Sequence, residues 1–599
     1  MKPTIEILAN IKKSSRKNKE EIFTRLYRYL QREDLYYQAY KNLYANNGAS
    51  TKGIDNDTAD GFSEEKIRKI ISSLQDGTYQ PKPVRRTYIK KKNGKLRPLG
   101  IPSFTDKLVQ EVLRMILESV YEPVFMKTSH GFRPQRSCHT ALTAIKKEFH
   151  GGKWFIEGDI KSCFDTIDHQ VLSQLINNKI KDKKLSDLIW KFLKAGYIED
   201  WKYNKTFSGC PQGGIISPLL SNIYLHELDK FVAQMAKEFN KPSERKYTDE
   251  YYACRTKVEL IRRKINKSKG AERKKYLMDL KDARNEMLRT PSKSQTNKKL
   301  RYVRYADDFL ICINGNKEDC LEIKQKLTDF ILTNLKMELS EEKTLITHTS
   351  KNARFLGYDI SIRRSNKIKR GATGNVKKRT LNNSVDLSIP LNEKIMKFLF
   401  DKKAVVQKNG VIKTIHRKPL INCTDFEIVS TYNAELRGIA NYYKLASNFT
   451  KLNYFAYLME YSCLKTLCSK HKTSIGKFIS KHRHDQKWGI TYENRKGKQV
   501  LFFADYTLSK EIKHFSDQLP NEAVKHMNSR NTFESRLKAK ECELCGTKEA
   551  KAYEVHHVNK VKNLKGKSDW EIAMIAKQRK TLVVCKPCHY KIHNRTYTL

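Results

Sequence analysis

The sequence predicts an α+β chain of several domains, and three observations predict it. The chain has 599 residues, about four times a typical domain length. Helical periodicities alternate with short apolar, strand-like runs along most of it. Two chemically unlike clusters, acidic residues in mid-chain and cysteines with histidines at the end, require separate frameworks.

Charge bounds the partners. Lys plus Arg number 117 against 65 Asp plus Glu, a formal charge of +52. Charge of that size repels itself in a compact fold unless a polyanion offsets it. Nucleic acid, contacted at many phosphates, is the partner expected. An anionic membrane surface would call on a lipid anchor or a basic amphipathic helix near a terminus, and neither is evident. No apolar run of about 18 residues offers a membrane span. Met1-Lys2-Pro3-Thr4 opens onto a mixed-charge segment, so no secretory signal and no membrane partner are expected. Hydrophobic residues at 39% and aromatics at 10% suffice for real cores and exclude wholesale disorder. Of 13 cysteines, nine are scattered from Cys138 to Cys468 and four form two CxxC pairs in the last 58 residues. That usage predicts a reducing compartment and one C-terminal metal site, not a disulfide framework.

Taken in order, residues 1–80 read mostly helical. Phe23, Leu26, Tyr27 and Leu30 fall at helical spacing, and Tyr36, Tyr37, Tyr40 and Tyr44 continue the stripe, as a helix core would. Residues 84–104 predict a basic hairpin turning at Asn93-Gly94. A helix follows from Thr105 to about Glu122, a strand over 153–160, and two apolar strands over 301–313 with a polar tip at Asp307-Asp308. Residues 241–300 carry 19 basic and 8 acidic residues. Val258, Ile261 and Ile265, then Leu277, Leu280 and Met287, predict a charged helical hairpin inserted there, either a solvated arm or an RNA contact. Residues 363–379 hold 8 basic residues and no acidic one, which predicts a flexible basic linker or a phosphate-tracking loop at a boundary. Tyr432, Leu436, Ile439 and Tyr443 make a further helical stripe, and the run from Leu452 is apolar on most faces, so a buried helix is expected.

The acidic cluster has a chemical reading. Phosphoryl transfer to a 3′-hydroxyl uses two divalent cations about 3.5–4 Å apart, and hard cations take carboxylate oxygens. Asp159 ends an apolar strand, and Asp307 and Asp308 sit at a hairpin tip. Each alone is most simply a turn residue.

The surrounding residues add more. Tyr305-Ala306-Asp307-Asp308 resembles the YADD box of reverse transcriptases, and Asp159-Ile160-Lys161-Ser162-Cys163-Phe164-Asp165 resembles the motif carrying their first metal-binding Asp. Pro211-Gln212-Gly213-Gly214 with Ser217-Pro218-Leu219 resembles their PQGG…SPLL motif. Arg97-Pro98-Leu99-Gly100-Ile101-Pro102 and His130-Gly131-Phe132-Arg133-Pro134 resemble finger motifs of the group II intron branch. In this order, over nearly the whole chain, the set resembles group II intron-encoded proteins, nearest to the lactococcal, group IIA type.

The resemblance implies a right-hand polymerase fold over 1–362, with fingers, a palm built on an antiparallel sheet, and the 241–300 insertion. It further implies a helical thumb or maturase domain over 363–480, a DNA-binding region over 481–540 and a zinc-stapled ββα HNH domain over 541–599. Asp159, Asp307 and Asp308, with the Ile160 carbonyl, would hold two Mg²⁺. Phe164 would crowd a ribose 2′-OH and so favour dNTPs, with core packing as the alternative. Gln212 would pack near the nascent base pair, Lys95 and Arg97 would grip the triphosphate, and Lys343 would protonate leaving pyrophosphate. Trp488, Tyr492, Phe502 and Phe503 would either stack on unpaired nucleotides or form a small core.

Cys542, Cys545, Cys585 and Cys588 offer four soft ligands suited to a tetrahedral structural Zn²⁺. Between and after them lie Glu554-Val555-His556-His557 and the pair His589 and His593, one helical turn apart. This resembles an HNH nuclease, in which His556, His589 and His593 would hold Mg²⁺ or another divalent ion and His557 would activate water. A purely structural zinc module is the alternative. Thr581 stands where that family carries Asn.

The function implied is a reverse transcriptase, maturase and site-specific DNA endonuclease. Its partners would be intron RNA, a target DNA duplex and dNTPs, with a second copy of the chain as a candidate partner. It would be cytoplasmic in a bacterium and nucleoid-associated when acting on DNA. Two other readings stay open from the sequence: a splicing factor with vestigial sites, and a reverse transcriptase of another lineage.

Overall fold

The computed structural model describes residues 3–594 apart from 91–93, 95, 201, 207, 211–212, 242–246, 293–297, 366, 371–376, 381, 495–496 and 505–532. Lys95, Gln212 and the expected turn residue Asn93 lie outside the described residues.

The amino-terminal helices are Thr4–Lys17, Glu33–Leu43 and Glu64–Gln75. Tyr36, Tyr37 and Tyr40 bury one face of the second. The stripe does not reach back to Phe23 as one helix. Tyr27–Gln31 is a 3₁₀ turn, and Phe23 instead exchanges backbone hydrogen bonds with Lys179 and Lys181 across a bridge to Ile180. Tertiary pairing overrides local periodicity there.

The basic hairpin forms as expected, from Val84–Lys90 and Leu96–Ile101, and Tyr197–Glu199 and Lys202–Asn204 extend its sheet. Beside it the helix Phe104–Tyr121, capped by the Ser103 hydroxyl, is buried on most faces.

At the centre is a four-stranded antiparallel sheet in the order Lys299–Tyr305, Asp308–Asn314, Trp154–Asp159, Leu345–His348. Its side chains alternate between two cores, as a pleated strand requires. Ile156, Phe309, Ile311 and Ile313 join the amino-terminal core, whereas Phe155, Val303, Leu310 and Cys312 join a second core shared with the helices that follow. Helices Ser217–Phe239 and Lys317–Leu335 cover the first face, with Phe231 and Phe330 stacked at 4.1 Å.

The 241–300 insertion is the helical hairpin expected, Asp249–Lys267 and Gly270–Arg289. Of the apolar side chains on these two helices, only Val258, Ile265 and Ala283 are buried.

Within the basic segment 363–379, Ile368–Arg370 pairs with Lys377–Arg379. Arg379 donates to the carbonyls of Met287 and Leu288, at the carboxy-terminal end of the inserted helix, where helix carbonyls attract a cation. The boundary expected at 363 falls inside a sheet, because Tyr358–Ile362 pairs with Val385–Ser388.

Helices Asp425–Tyr442 and Leu452–His471 build the second core. The latter is not buried on every face. Leu452, Phe455, Leu458 and Met459 point inward, while Tyr454, Tyr457 and Tyr461 are exposed in a row. A tyrosine's polar tip suits it to either side of such a boundary, which apolar counting overlooks.

Strands Arg483–His484, Lys487–Asn494 and Gly497–Phe502 form a small sheet on these helices, and much of the DNA-binding region expected over 481–540 lies outside the described residues. Asn433 bonds both Phe502 and Ala504, and Trp488 donates to Glu460. Trp488 and Phe503 are core residues, Phe502 is exposed, and Tyr492 packs on Phe426 at 4.6 Å. The carboxy-terminal unit has strands Tyr553–His557 and Thr581–Cys585 and helix Lys586–His593, a ββα arrangement. No helix among the described residues is long and apolar enough to cross a membrane.

Candidate catalytic and metal-binding sites

Strand register assembles the acidic site. Asp159 is the cross-strand partner of Asp308, and Asp308 in turn pairs with Tyr305 across a two-residue turn. Ala306 in that turn adopts a left-handed backbone, φ 58°, which costs an L-residue about 1–2 kcal/mol. Neighbouring motifs hold the strained turn. Gly131 lies so close that an added Cβ would stand 2.3 Å from the Ala306 nitrogen. His130 and Arg304 exchange backbone bonds with this loop through Arg304 O and Thr128 O.

Beneath the turn, Arg304 and Asp229 form an ion pair at 2.6 Å with both side chains fully buried. The guanidinium also donates to Ala306 O, Asn222 Oδ1 and Ser129 Oγ. Asn222 donates onward to Gly131 O. The motifs around 130, 222 and 305 are thus one hydrogen-bonded block.

Crowding of carboxylates marks the site electrostatically. Desolvation, then the charge of Asp307 and the hydrogen bond and charge of Asp159, push the Asp308 carboxyl up to about 7. Asp308 is exposed by surface area, so the neighbouring carboxylates are the cause that carries weight. Burial raises Asp307 as well, with the charges of Lys343 and Arg97 working in the opposite direction. Lys343 donates to Asp159 Oδ2, and that bond raises the lysine. Three hard oxygen donors repelling one another fit divalent cations.

The other expected residues surround this centre. Ile160 is buried and bridges Leu339. Phe164 is half-buried, its ring edge-on to the exposed Phe132 at 6.1 Å. Arg97 is exposed on the basic hairpin. Gly213, at φ 113°, comes so close to that hairpin that a Cβ would meet Gly100 O at 2.3 Å. Nearby, a cleft of about 380 Å³ is lined by Arg86, Gly100, Asp165, Tyr197, Lys205 and Gly209 among others.

Two tighter clusters lie in the carboxy-terminal unit, each with all ligand atoms within 4.8 Å of one another. The first is Cys542, Cys545, Cys585 and Cys588. Its Cys545 and Cys585 sulfurs are 3.8 Å apart, about the edge of a tetrahedron built on Zn–S bonds of about 2.3 Å. Backbone N–H groups of Cys545, Cys585 and Leu544 overcome burial and hold the Cys542 thiol down to about 7. That favours the thiolate a zinc ion needs.

The second cluster is His556, His589, His593 and, from the amino-terminal segment, Asp60. Both ring nitrogens of His556 are buried and make no hydrogen bond, although Nδ1 is 3.2 Å from Asp60 Oδ1. A ligand nitrogen awaiting a metal would look like this. His589 is oriented from behind by Glu554 at 2.6 Å, the carboxylate support usual for metal-binding histidines. His557 sits beside the cluster, and burial lowers its imidazole from the usual value. Thr581, its cross-strand partner, is buried, and its carbonyl accepts from Arg536 at 3.1 Å.

Comparisons with known proteins assign families to both regions. The family profile described as reverse transcriptase (RNA-dependent DNA polymerase) matches residues 89–260 and 280–360. Type II intron maturase matches 382–535, and AI2M/AI1M-like HNH endonuclease matches 542–589. The group II intron-encoded protein LtrA of Lactococcus lactis subsp. cremoris is 62% identical over 98% of this chain and 99% of its own length.

This chain belongs to the group II intron-encoded proteins.

It carries the reverse transcriptase, maturase and HNH endonuclease domains of that family. A 91 kDa protein in a cob intron of Schizosaccharomyces pombe is 34% identical over 95% of this chain and 70% of its own length. The gap in the reverse transcriptase match falls within the helical arm.

Sequence reasoning missed Asp60 and the Arg304–Asp229 pair, and it named Glu554 without giving it a role. Glu554 was legible in principle, since it lies two residues before His556 on the same strand face. Asp60 carried no local signal, because nearly 500 residues separate it from its partners.

Proposed function

We propose that this group II intron protein copies RNA into DNA at the Asp159–Asp307–Asp308 centre and nicks its DNA target at the His556–His557–His589–His593 centre. The Asp159–Asp308 register, which brings distant carboxylates face to face, is the observation that carries the polymerase reading.

Bound Mg²⁺ would activate the primer 3′-hydroxyl and neutralise charge on the triphosphate. Asp159, Asp307, Asp308 and the Ile160 carbonyl would hold it. Arg97 and Lys95 would bind the triphosphate, and Gln212 would pack on the new base pair. Phe164 would exclude a ribose 2′-hydroxyl. Lys343, already beside Asp159, would give its proton to departing pyrophosphate as general acid.

At the second centre a divalent ion held by His556, His589 and His593 would stabilise the scissile phosphate's charge, and His557 would take a proton from the attacking water. The imidazole-rich set suits borderline ions such as Zn²⁺, Fe²⁺ or Ni²⁺ better than Mg²⁺. Zn²⁺ on the four cysteines would be structural.

The maturase part would bind and stabilise folded intron RNA, so that binding energy favours the splicing-competent state. The exposed row Tyr454, Tyr457 and Tyr461 and the lysines around a cleft of about 750 Å³, Lys465, Lys472 and Lys477, offer stacking and phosphate contacts. The protein would work in the bacterial cytoplasm, on the chromosome when it nicks DNA.

The test is a coupled reaction of the ribonucleoprotein with labelled target duplex and dNTPs. Complementary DNA covalently joined to the nicked strand is expected. Nicking without joined product, or free product without nicking, would overturn the coupling of the two centres.

A further inference from the structure

Asp60 reaches the nuclease cluster from the opposite end of the chain. Its Oδ2 is 2.7 Å from His593 Nε2, and its Oδ1 is 3.3 Å from His589 Nε2 and 3.2 Å from His556 Nδ1. The two histidine Nε2 atoms of the helix are 3.2 Å apart. Most of these separations are near about 3.3 Å, the edge of a tetrahedron built on metal–ligand bonds of about 2.0–2.1 Å.

The placement is built in. Phe62 and Ser63 pair antiparallel with Val555 and Glu554, adding a third strand to the nuclease sheet. Gly61 N–H donates to Val555 O at 3.0 Å. Phe62 is fully buried and stacks on Tyr40 at 4.1 Å, and Tyr40 in turn donates to Ala59 O. Asp60 Oδ1 accepts the backbone N–H of His557 at 2.7 Å, which holds the carboxylate against the cluster.

We propose that Asp60 is a fourth protein ligand of the nuclease metal and that it closes the position a DNA phosphate must occupy. The inference rests on the nuclease reading above and deepens it. Four protein ligands describe a closed site, whereas a catalytic one keeps a position open. The same segment covers the base. His557 Nε2 lies 3.0 Å from Tyr44 O, and its ring meets Tyr44 edge-on at 6.2 Å. Nicking therefore requires the segment around 44–63 to withdraw from the metal, which couples the nuclease to whatever the amino-terminal domain binds.

The experiment uses the full-length chain with zinc already on its cysteines. Co²⁺ is titrated and followed by the intense visible bands of tetrahedral coordination, which an oxygen-rich octahedral site does not give. Target nicking by the ribonucleoprotein is measured at saturating metal, and primer extension reports the fold of the remainder. Asp60→Asn, and Asp60→Ser as a second variant that keeps an acceptor for the His557 N–H, should weaken Co²⁺ binding by about tenfold or more and change its spectrum. Both should nick faster than the native protein at saturating metal. Unchanged affinity and spectrum would overturn the ligand assignment, and weaker binding with nicking no faster than native at saturating metal would overturn closure. His589→Ala should abolish the bands. If it keeps them, the nuclease metal site itself is wrong, a failure distinct from that of Asp60.

Discussion

Arg304 and Asp229 form a fully buried ion pair at 2.6 Å directly beneath the Tyr-Ala-Asp-Asp turn. Asp229 comes from the helix that begins at Ser217, and Tyr302 donates to the same carboxylate at 2.9 Å. The pair therefore joins the helix after the Pro-Gln-Gly-Gly motif to the hairpin bearing Asp307 and Asp308. Removing one member strands the other charge in the core, which costs about 3–5 kcal/mol. Arg304→Met should lower the unfolding midpoint of the polymerase region and abolish primer extension. Thermal unfolding together with an extension assay checks it, and a variant as stable and active as the native protein would refute the bracing role.

Lys343 is bonded to Asp159 and reaches solvent on its other side. Lys343→Met should slow single-nucleotide incorporation by on the order of a hundredfold or more, the usual weight of a general acid, while intron RNA affinity stays within a few-fold. Rapid-quench kinetics would show it. An unchanged rate would leave Lys343 a surface ion pair.

His557 is the base in the nuclease reading, and it is separate from the polymerase carboxylates in sequence and framework. His557→Ala should stop target nicking and leave extension of a supplied primer intact. Normal nicking by this variant would assign the base elsewhere.

The cysteines should hold one zinc per chain. Cys585→Ser should lower bound zinc, measured by metal analysis, and abolish nicking with it, because Cys585 ends one nuclease strand and leads directly into the His589–His593 helix. Full zinc content in that variant would place the metal elsewhere.

Much of this architecture was legible in the sequence where physics is local. Apolar runs around 154–159 and 301–313 marked the central strands because both faces of that sheet are buried. Paired CxxC spacings and histidines one turn apart marked the metal clusters. What could not be read was set by distant partners. Residues 363–379 look like a linker in composition, yet their ends pair and Arg379 docks on the inserted helix. The helix from Leu452 reads as apolar on most faces until the core claims one side and leaves three tyrosines in solvent. Asp60 gives no sign until a two-residue strand carries it to the histidines.

The most direct test of the central claim is nucleotide incorporation on an RNA template by the native chain and by Asp308→Ala, at saturating Mg²⁺ and dNTP. The account predicts a loss of about a thousandfold or more, the equivalent of several kcal/mol of metal-borne stabilisation, with RNA binding retained. Incorporation within a few-fold of native would contradict it.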